Sequence, residues 1–397
     1  MAWTLLVLLQ VVKTIIFCES WCFMRIRDLL VITLVFTLST GNLLAETFAM
    51  SVSEREEAYR WLLRLRKDVG LVMFAAQRGM NSEGPHLENE LLYHDKWMAN
   101  EWCLKPAMQD LFEGDKEALE PLLERLDETT DGFTCKGKKL RFVDILSYLD
   151  KLRKAQKTDF GKPDQSGLKK AYKQLFEKEA GSLVDVLGSA FSALNDFVEN
   201  PREIEQEEGG LTGKVAKTKN AKFTVTFTAL YRLHLDLERI KSNVAKDGMG
   251  KGISLGSAVL EHRHFGRNSW YLQKQHIAGF KGLRLVLKKR LGELDSQSTG
   301  VSIDGKTQRY SDLLKKIDKL DDLLEIDMGK PDRSEMKKAA VELTERIDDT
   351  LKLTKALIDG LAPLTDDSEQ IQRAEGGNDE TAGLDEGFGG LNVVGND

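Results

Sequence analysis

The feature that most constrains this chain is a stretch written twice. Residues 133–171 read FTCKGKKLRFVDILSYLDKLRKAQKTDFGKPDQSGLKKA, and residues 301–339 read VSIDGKTQRYSDLLKKIDKLDDLLEIDMGKPDRSEMKKA. They align without a gap at an offset of 168 residues, and 17 of the 39 positions are identical. The offset carries backward. Arg64, Leu65 and Asp68 match Arg232, Leu233 and Asp236, and Leu92, His94, Asn100, Trp102 and Leu104 match Leu260, His262, Asn268, Trp270 and Leu272. Forward it weakens, but the ends still resemble each other, IEQEEGG at 204–210 and IQRAEGG at 371–377, with the offset changed by one. Self-similarity at a fixed period is the signature of a repeat architecture, and the chain reads as a tandem duplication.

The expected fold class is mainly α, with two tandem homologous helical bundles of about five helices, each carrying a short β-hairpin. Their boundaries fall at 50–200 and 223–364. Between them lies a polar connector at 201–222, and after them an acidic, Gly-rich tail at 365–397 with too little apolar surface to fold. In the first unit a capping box at Ser53 and Glu56 opens a helix running to about Gln77, with Leu62, Leu65, Val69 and Val72 at helical spacing. The matching segment, Phe223 to Val244, begins with the alternating FTVTFT, yet its counterpart predicts a helix. Further helices are expected over about 85–112 and 254–280, 115–127 and 281–295, 141–157 and 309–326, and 166–198 and 334–360. Lys136-Gly137 and Asp304-Gly305 sit where a tight hairpin turn places its glycine.

Residues 1–45 read as a targeting region. Arg25 and Arg27 after Met24 form a positive n-region, Leu29 to Leu38 an apolar h-region, and small residues permit cleavage after Ala45 or Gly41. If uncleaved, the apolar runs are short membrane anchors, and that segment is the one membrane contact expected. The expected location is therefore outside the cytoplasm, periplasmic or extracellular. The absence of an Asn-x-Ser/Thr sequon fits a bacterial envelope. Charged residues make up 30% of the chain with a net charge of −6, which provides no basic face for nucleic acid.

Motifs that resemble chemistry dissolve on inspection. Asp159-Phe160-Gly161 spells a kinase magnesium motif without the accompanying elements, and reads as a helix stop before Lys162-Pro163. The run Gly248 to Ser254 lacks the spacing of a phosphate loop. His262 and His264 are too close in sequence to face one way on a helix, and no ligand set such as HExxH occurs, so neither metal nor cofactor is expected.

The ligand-binding candidates are His94, Trp102, His262 and Trp270, the repeated His–Trp pair. Placed on a helix, eight residues of separation put each His about 80° from its Trp, so the two border one patch suited to a glycan or flat ligand. Arg141 and Arg309, each three residues before an Asp (Asp144, Asp312), are candidates for an anion site with Lys138, Lys162 and Lys330, or for a local ion pair that fixes hairpin to helix. Cys103 and Cys135 become Tyr271 and Ile303 in the second copy, a paired replacement that predicts a Cys103–Cys135 disulfide, worth roughly 3–4 kcal/mol for a loop of this size. The expected function is an exported, non-catalytic helical repeat protein with a binding or structural role, its partner a protein, small molecule or glycan. The alternative is a secreted hydrolase using His94 or His262 with nearby carboxylates.

Overall fold

The computed structural model describes residues 50–81, 91–96, 101–154, 165–209, 221–249, 259–264, 269–296, 300–303, 305–321, 333–365 and 368–376. The targeting region, the Asp-Phe-Gly segment, the Gly248–Ser254 run, Lys162, Lys330 and the tail beyond Gly376 lie outside the described residues. The described residues from Ser51 onward form one compact unit.

That unit is mainly helical, with small two-stranded antiparallel hairpins. In order come α1 (Val52–Asn81), β1 (Leu92–Lys96), β2 (Glu101–Leu104), α2 (Pro106–Thr129), β3 (Phe133–Cys135), β4 (Lys138–Leu140) and α3 (Asp144–Lys154). Then follow α4 (Gln165–Lys173), a π-helical turn (Gln174–Ala180), α5 (Gly181–Leu194) and α6 (Pro201–Glu207). The second half has α7 (Ala221–Met249), β5 (Leu260–His264), β6 (Ser269–Leu272), α8 (Lys274–Asp295), β7 (Val301–Ile303), β8 (Lys306–Gln308), α9 (Asp312–Asp321), α10 (Arg333–Leu361) and α11 (Ser368–Ala374).

Two helices sit at the centre. Every residue of α1 from Glu57 to Leu65, and of α7 from Thr224 to Leu230, is buried. A helix enclosed on all sides loses the one-sided apolar stripe of a surface helix, so α7 tolerates the strand-like FTVTFT. Around them α2 packs along α8, α10 along α7, and α4, α5 and α6 against α1. The core is made of leucines with a few large rings, among them Trp61, Phe112, Phe142, Tyr172 and Phe227.

Several expectations are corrected. The capping box of α1 is Ser51 with Glu54, two residues earlier than expected. Ser51 Oγ accepts from the Glu54 amide at 3.2 Å, and the Ser51 amide donates to Glu54 Oε2 at 2.8 Å. The helices expected over 85–112 and 254–280 are hairpins followed by helix starts: β1–β2 leads into α2, and β5–β6 into α8. The separate helices expected over 115–127 and 281–295 are the continuations of α2 and α8. Pro106 explains where α2 begins, since proline at the first helical turn loses no hydrogen bond there. Part of the expected connector is helix α6, and the first residues of the expected unfolded tail form α11, which buries Ile371.

The second pair of hairpins is as expected. Lys136 and Gly137 both have positive φ, 49° and 75°, which a two-residue turn of the type favoured in hairpins requires. No helix among the described residues is long and apolar enough to cross a membrane.

Candidate functional site

Four polar residues that sequence matching paired across the two halves, Arg64, Asp68, Arg232 and Asp236, converge on one buried cluster between α1 and α7. Arg64 and Arg232 are 0% and 1% exposed. Each guanidinium grips two carboxylates. Arg64 donates from Nη1 and Nη2 to Asp236 at 2.9 and 2.8 Å, and from Nε and Nη2 to Glu208 at 2.9 and 3.0 Å. Arg232 donates from Nη1 and Nη2 to Asp68 at 2.8 and 2.9 Å, and from Nε and Nη2 to Glu375 at 2.8 and 3.0 Å. The same atoms make the same bonds twice, and each half supplies the arginine that holds the other half's aspartate.

The local sequence explains the arrangement. Arg64 and Asp68 lie one turn apart on α1, as Arg232 and Asp236 do on α7, so two helices laid side by side can exchange both pairs. Glu208 and Glu375 follow the last residues of α6 and α11, in the EGG strings of the two ends. Gly209 and Gly376 there have φ of 75° and 100°, in the left-handed region glycine favours. A Cβ on Gly209 would lie 2.4 Å from the Ala374 carbonyl oxygen, and one on Gly376 2.0 Å from that of Glu207. Only glycine lets the two helix ends abut so closely. Lys67 ties them together, donating from Nζ to the carbonyl oxygens of Glu208 and Ala374 at 2.7 and 3.1 Å and to Glu375 Oε2 at 2.9 Å.

Further charges complete the cluster. Arg60 bonds Glu207 and Glu208, and Arg239 Nη1 donates to Glu57 Oε2 at 2.8 Å. Trp61 Nε1 donates to Glu57 Oε1 at 3.2 Å. Burial pushes these carboxyls up, and the facing cations overcome it. Arg239 holds Glu57 down to about 2, while Arg64, Lys67 and Arg60 depress Glu208 and Arg232 with Lys67 depresses Glu375. Burial would lower the guanidiniums, but Asp236 with Glu208 raises Arg64, and Asp68 with Glu375 raises Arg232. These groups are fixed as ions and saturated by one another, so the cluster is suited to holding helices and is closed to solvent-borne substrate.

The residues expected to form sites fall elsewhere. His94 lies directly opposite Trp102 in the β1–β2 register, and His262 opposite Trp270 in β5–β6. In backbone register each pair thus faces across two strands and is not set along a helix. Trp102 is buried in the core. Arg141 and Arg309 do not pair through their side chains with Asp144 and Asp312. The aspartates instead accept from the arginines' backbone amides at 2.8 and 3.1 Å, closing the helix N-termini. The exposed Arg141 side chain turns to Asp127, Nε to Oδ2 at 3.5 Å. Asp127 also accepts from the amides of Phe142 and Val143 at 2.6 and 3.0 Å, and Asp295 does the same for Tyr310 and Ser311 at 2.7 and 3.0 Å.

The expected Cys103–Cys135 bridge is not formed. Cys103 lies on β2, while Cys135, buried on β3, has its Sγ 3.8 Å from the Asp185 carbonyl oxygen. Among the described residues no group of His, Cys, Asp and Glu is arranged to hold a metal ion. Sequence reasoning noted the repeated Arg64, Asp68, Arg232 and Asp236 but not their role. The available signal was a charged pair set among the apolar positions of a helix, at both places where the sequence matches itself. No family model, curated protein or solved structure matches this chain.

Proposed function

We propose that this chain is a tandem duplication of one helical unit, exported from the cytoplasm, that acts as a non-catalytic binding or structural protein at the cell envelope or outside the cell. The observation that carries the reading is the reciprocal Arg64–Asp236 and Arg232–Asp68 grip. A catalytic centre needs a polar group left available to substrate, usually in one copy with asymmetric surroundings. Here the same polar residues perform the same packing task twice and are consumed by it. A self-complementary contact, in which residue i of one half meets j of the other and j meets i, is the geometry of a two-fold interface, and the duplication supplies both halves within one chain.

Two measurements test this. N-terminal sequencing of the chain recovered from fractionated cells is expected to begin after Ala45 or Gly41, outside the cytoplasm; an intact N-terminus in the cytosol would overturn export. Ester, phosphoester and peptide substrates are expected to remain intact with the purified chain. Hydrolysis that disappears in His94→Ala or His262→Ala would replace the scaffold with an enzyme.

A further inference from the structure

One member of the buried cluster breaks its symmetry. Asp115, on α2, is 1% exposed, and the position 168 residues later is Leu283, also buried. Every other carboxylate in the cluster has a cation within ordinary hydrogen-bond distance. Arg64 and Arg239 serve Asp236, Arg64 and Arg60 serve Glu208, Arg239 serves Glu57, Arg232 serves Asp68, and Arg232 with Lys67 serves Glu375. Asp115 has only Arg232 Nη1, 4.0 Å from its Oδ1, and that nitrogen is already committed to Asp68 at 2.8 Å. As an ionised acceptor, Asp115 Oδ2 is buried with no donor. As a carboxylic acid it has an acceptor beside it, the Asp68 carboxylate.

We propose that Asp115 is kept as the neutral acid and donates its proton to Asp68, making the joint between α1 and α7 a proton-linked latch. The groups around it act in both directions. From α1 come Asp68 and Arg64, and from α7 comes Arg232. On the opposite side α8 brings Gly282 and Val286 against Gly114, and its Arg290 turns away to Asp110. Burial first and the Asp68 charge second raise the Asp115 carboxyl well above its ordinary range, with Arg232 and Arg64 opposing.

The sign of the pH effect follows. The folded chain holds a proton that the unfolded chain releases near pH 4. Stability contributed by this site is therefore complete below that value and declines as pH rises towards the folded value of Asp115, with the folding constant falling up to tenfold per pH unit. Ionisation places a second negative charge against Asp68, where Arg232 is already fully engaged.

The test is equilibrium unfolding of the full chain between pH 5.5 and 8, comparing wild type with Asp115→Asn and with Asp115→Leu, which copies the other half. Over this range Glu57, Glu208 and Glu375 are ionised in both states, and the titration of His234 is common to all three chains. The wild-type folding constant is expected to fall by up to tenfold per unit relative to both variants; parallel profiles would overturn the proposal. Should neither variant fold, the infrared spectrum of the folded wild type at neutral pH reads the same protonation: a carboxylic-acid carbonyl band supports the latch, and its absence overturns the proposal.

Discussion

A Cβ on Gly282 would stand 2.4 Å from the Gly114 carbonyl oxygen, and one on Gly114 would stand 2.6 Å from the Gly282 carbonyl oxygen. These residues occupy the same position in the two halves and mark where α2 crosses α8. The next neighbours interchange in the same way, Gly114 against Val286 and Gly282 against Ala118. Since 118 and 286 are also 168 apart, the crossing repeats the reciprocity of the arginine joint. Backbone meets backbone here, so a methyl group cannot be accommodated by turning a side chain. Gly114→Ala and Gly282→Ala are each expected to destabilise the fold by about 1–3 kcal/mol through overpacking, despite alanine's better helix propensity. Urea unfolding checks this. Stabilisation by either substitution would mean that the helices separate more readily than their spacing implies.

The arginine joint makes a second prediction. Arg64→Ala leaves Asp236 and Glu208 buried without their shared fork, and Arg232→Ala does the same to Asp68 and Glu375. Removing one partner of a buried pair costs about 3–5 kcal/mol. The double variant Arg64→Ala with Asp236→Ala is expected to cost less than the sum of its singles, by about 0.5–3 kcal/mol. The same cycle on Arg232 and Asp68 is expected to return a similar coupling. Additive effects in either cycle would show that the joint does not act as two linked pairs.

Much of this architecture was legible in the sequence, and the failures have identifiable causes. The helical character of the start of α7 was recovered only by matching it to α1, because Thr224 to Leu230 are buried on all sides and carry no amphipathic period of their own. The first hairpin was mistaken for helix, although the identical positions Leu92, His94, Trp102 and Leu104 step by two, the period of a strand. That signal was short, and the residues around it also fitted helical spacing. Gly137 with positive φ marked the second hairpin directly. The ionic joint was half legible. Arg64 and Asp68 stood out as charges among apolar positions, but no local pattern tells that a partner lies 172 residues away. Glu208 and Glu375 were hidden further by the one-residue change in offset, and by strings that look like solvated linker until two glycines bring the helix ends together.

The acid limb of stability belongs to the cluster's other carboxylates. Arg239 holds Glu57 at about 2, against an ordinary value of 4.5. A depressed carboxyl stabilises the folded state fully above its unfolded value, and that contribution is lost as pH falls from about 4.5 through 2. The expected loss from Glu57 alone is about 3 kcal/mol. Wild type and Glu57→Gln are compared by urea unfolding from pH 6 to pH 2, with tryptophan fluorescence as the probe because Trp61 donates directly to Glu57. The variant is expected to show the shallower acid limb. Superimposable slopes would mean that Glu57 is not held as an ion.

The last prediction concerns the stretch whose repetition opened the problem. Its shared residues fold each small hairpin onto the helix that follows, and Asp127 and Asp295, just before the hairpins, receive the chain as it leaves them. Each carboxylate accepts two backbone amides at the start of α3 or α9, so its loss strands two donors at a helix N-terminus. Asp127→Ala is expected to cost about 1–2 kcal/mol, within the upper range for an N-terminal cap. It should also speed amide hydrogen exchange at Phe142 and Val143, while Tyr310 and Ser311 exchange as before. Asp295→Ala should give the converse pattern. Exchange that changes equally at both helix starts in either variant would locate the effect in global unfolding, and the two carboxylates would then lose their assignment as local clamps.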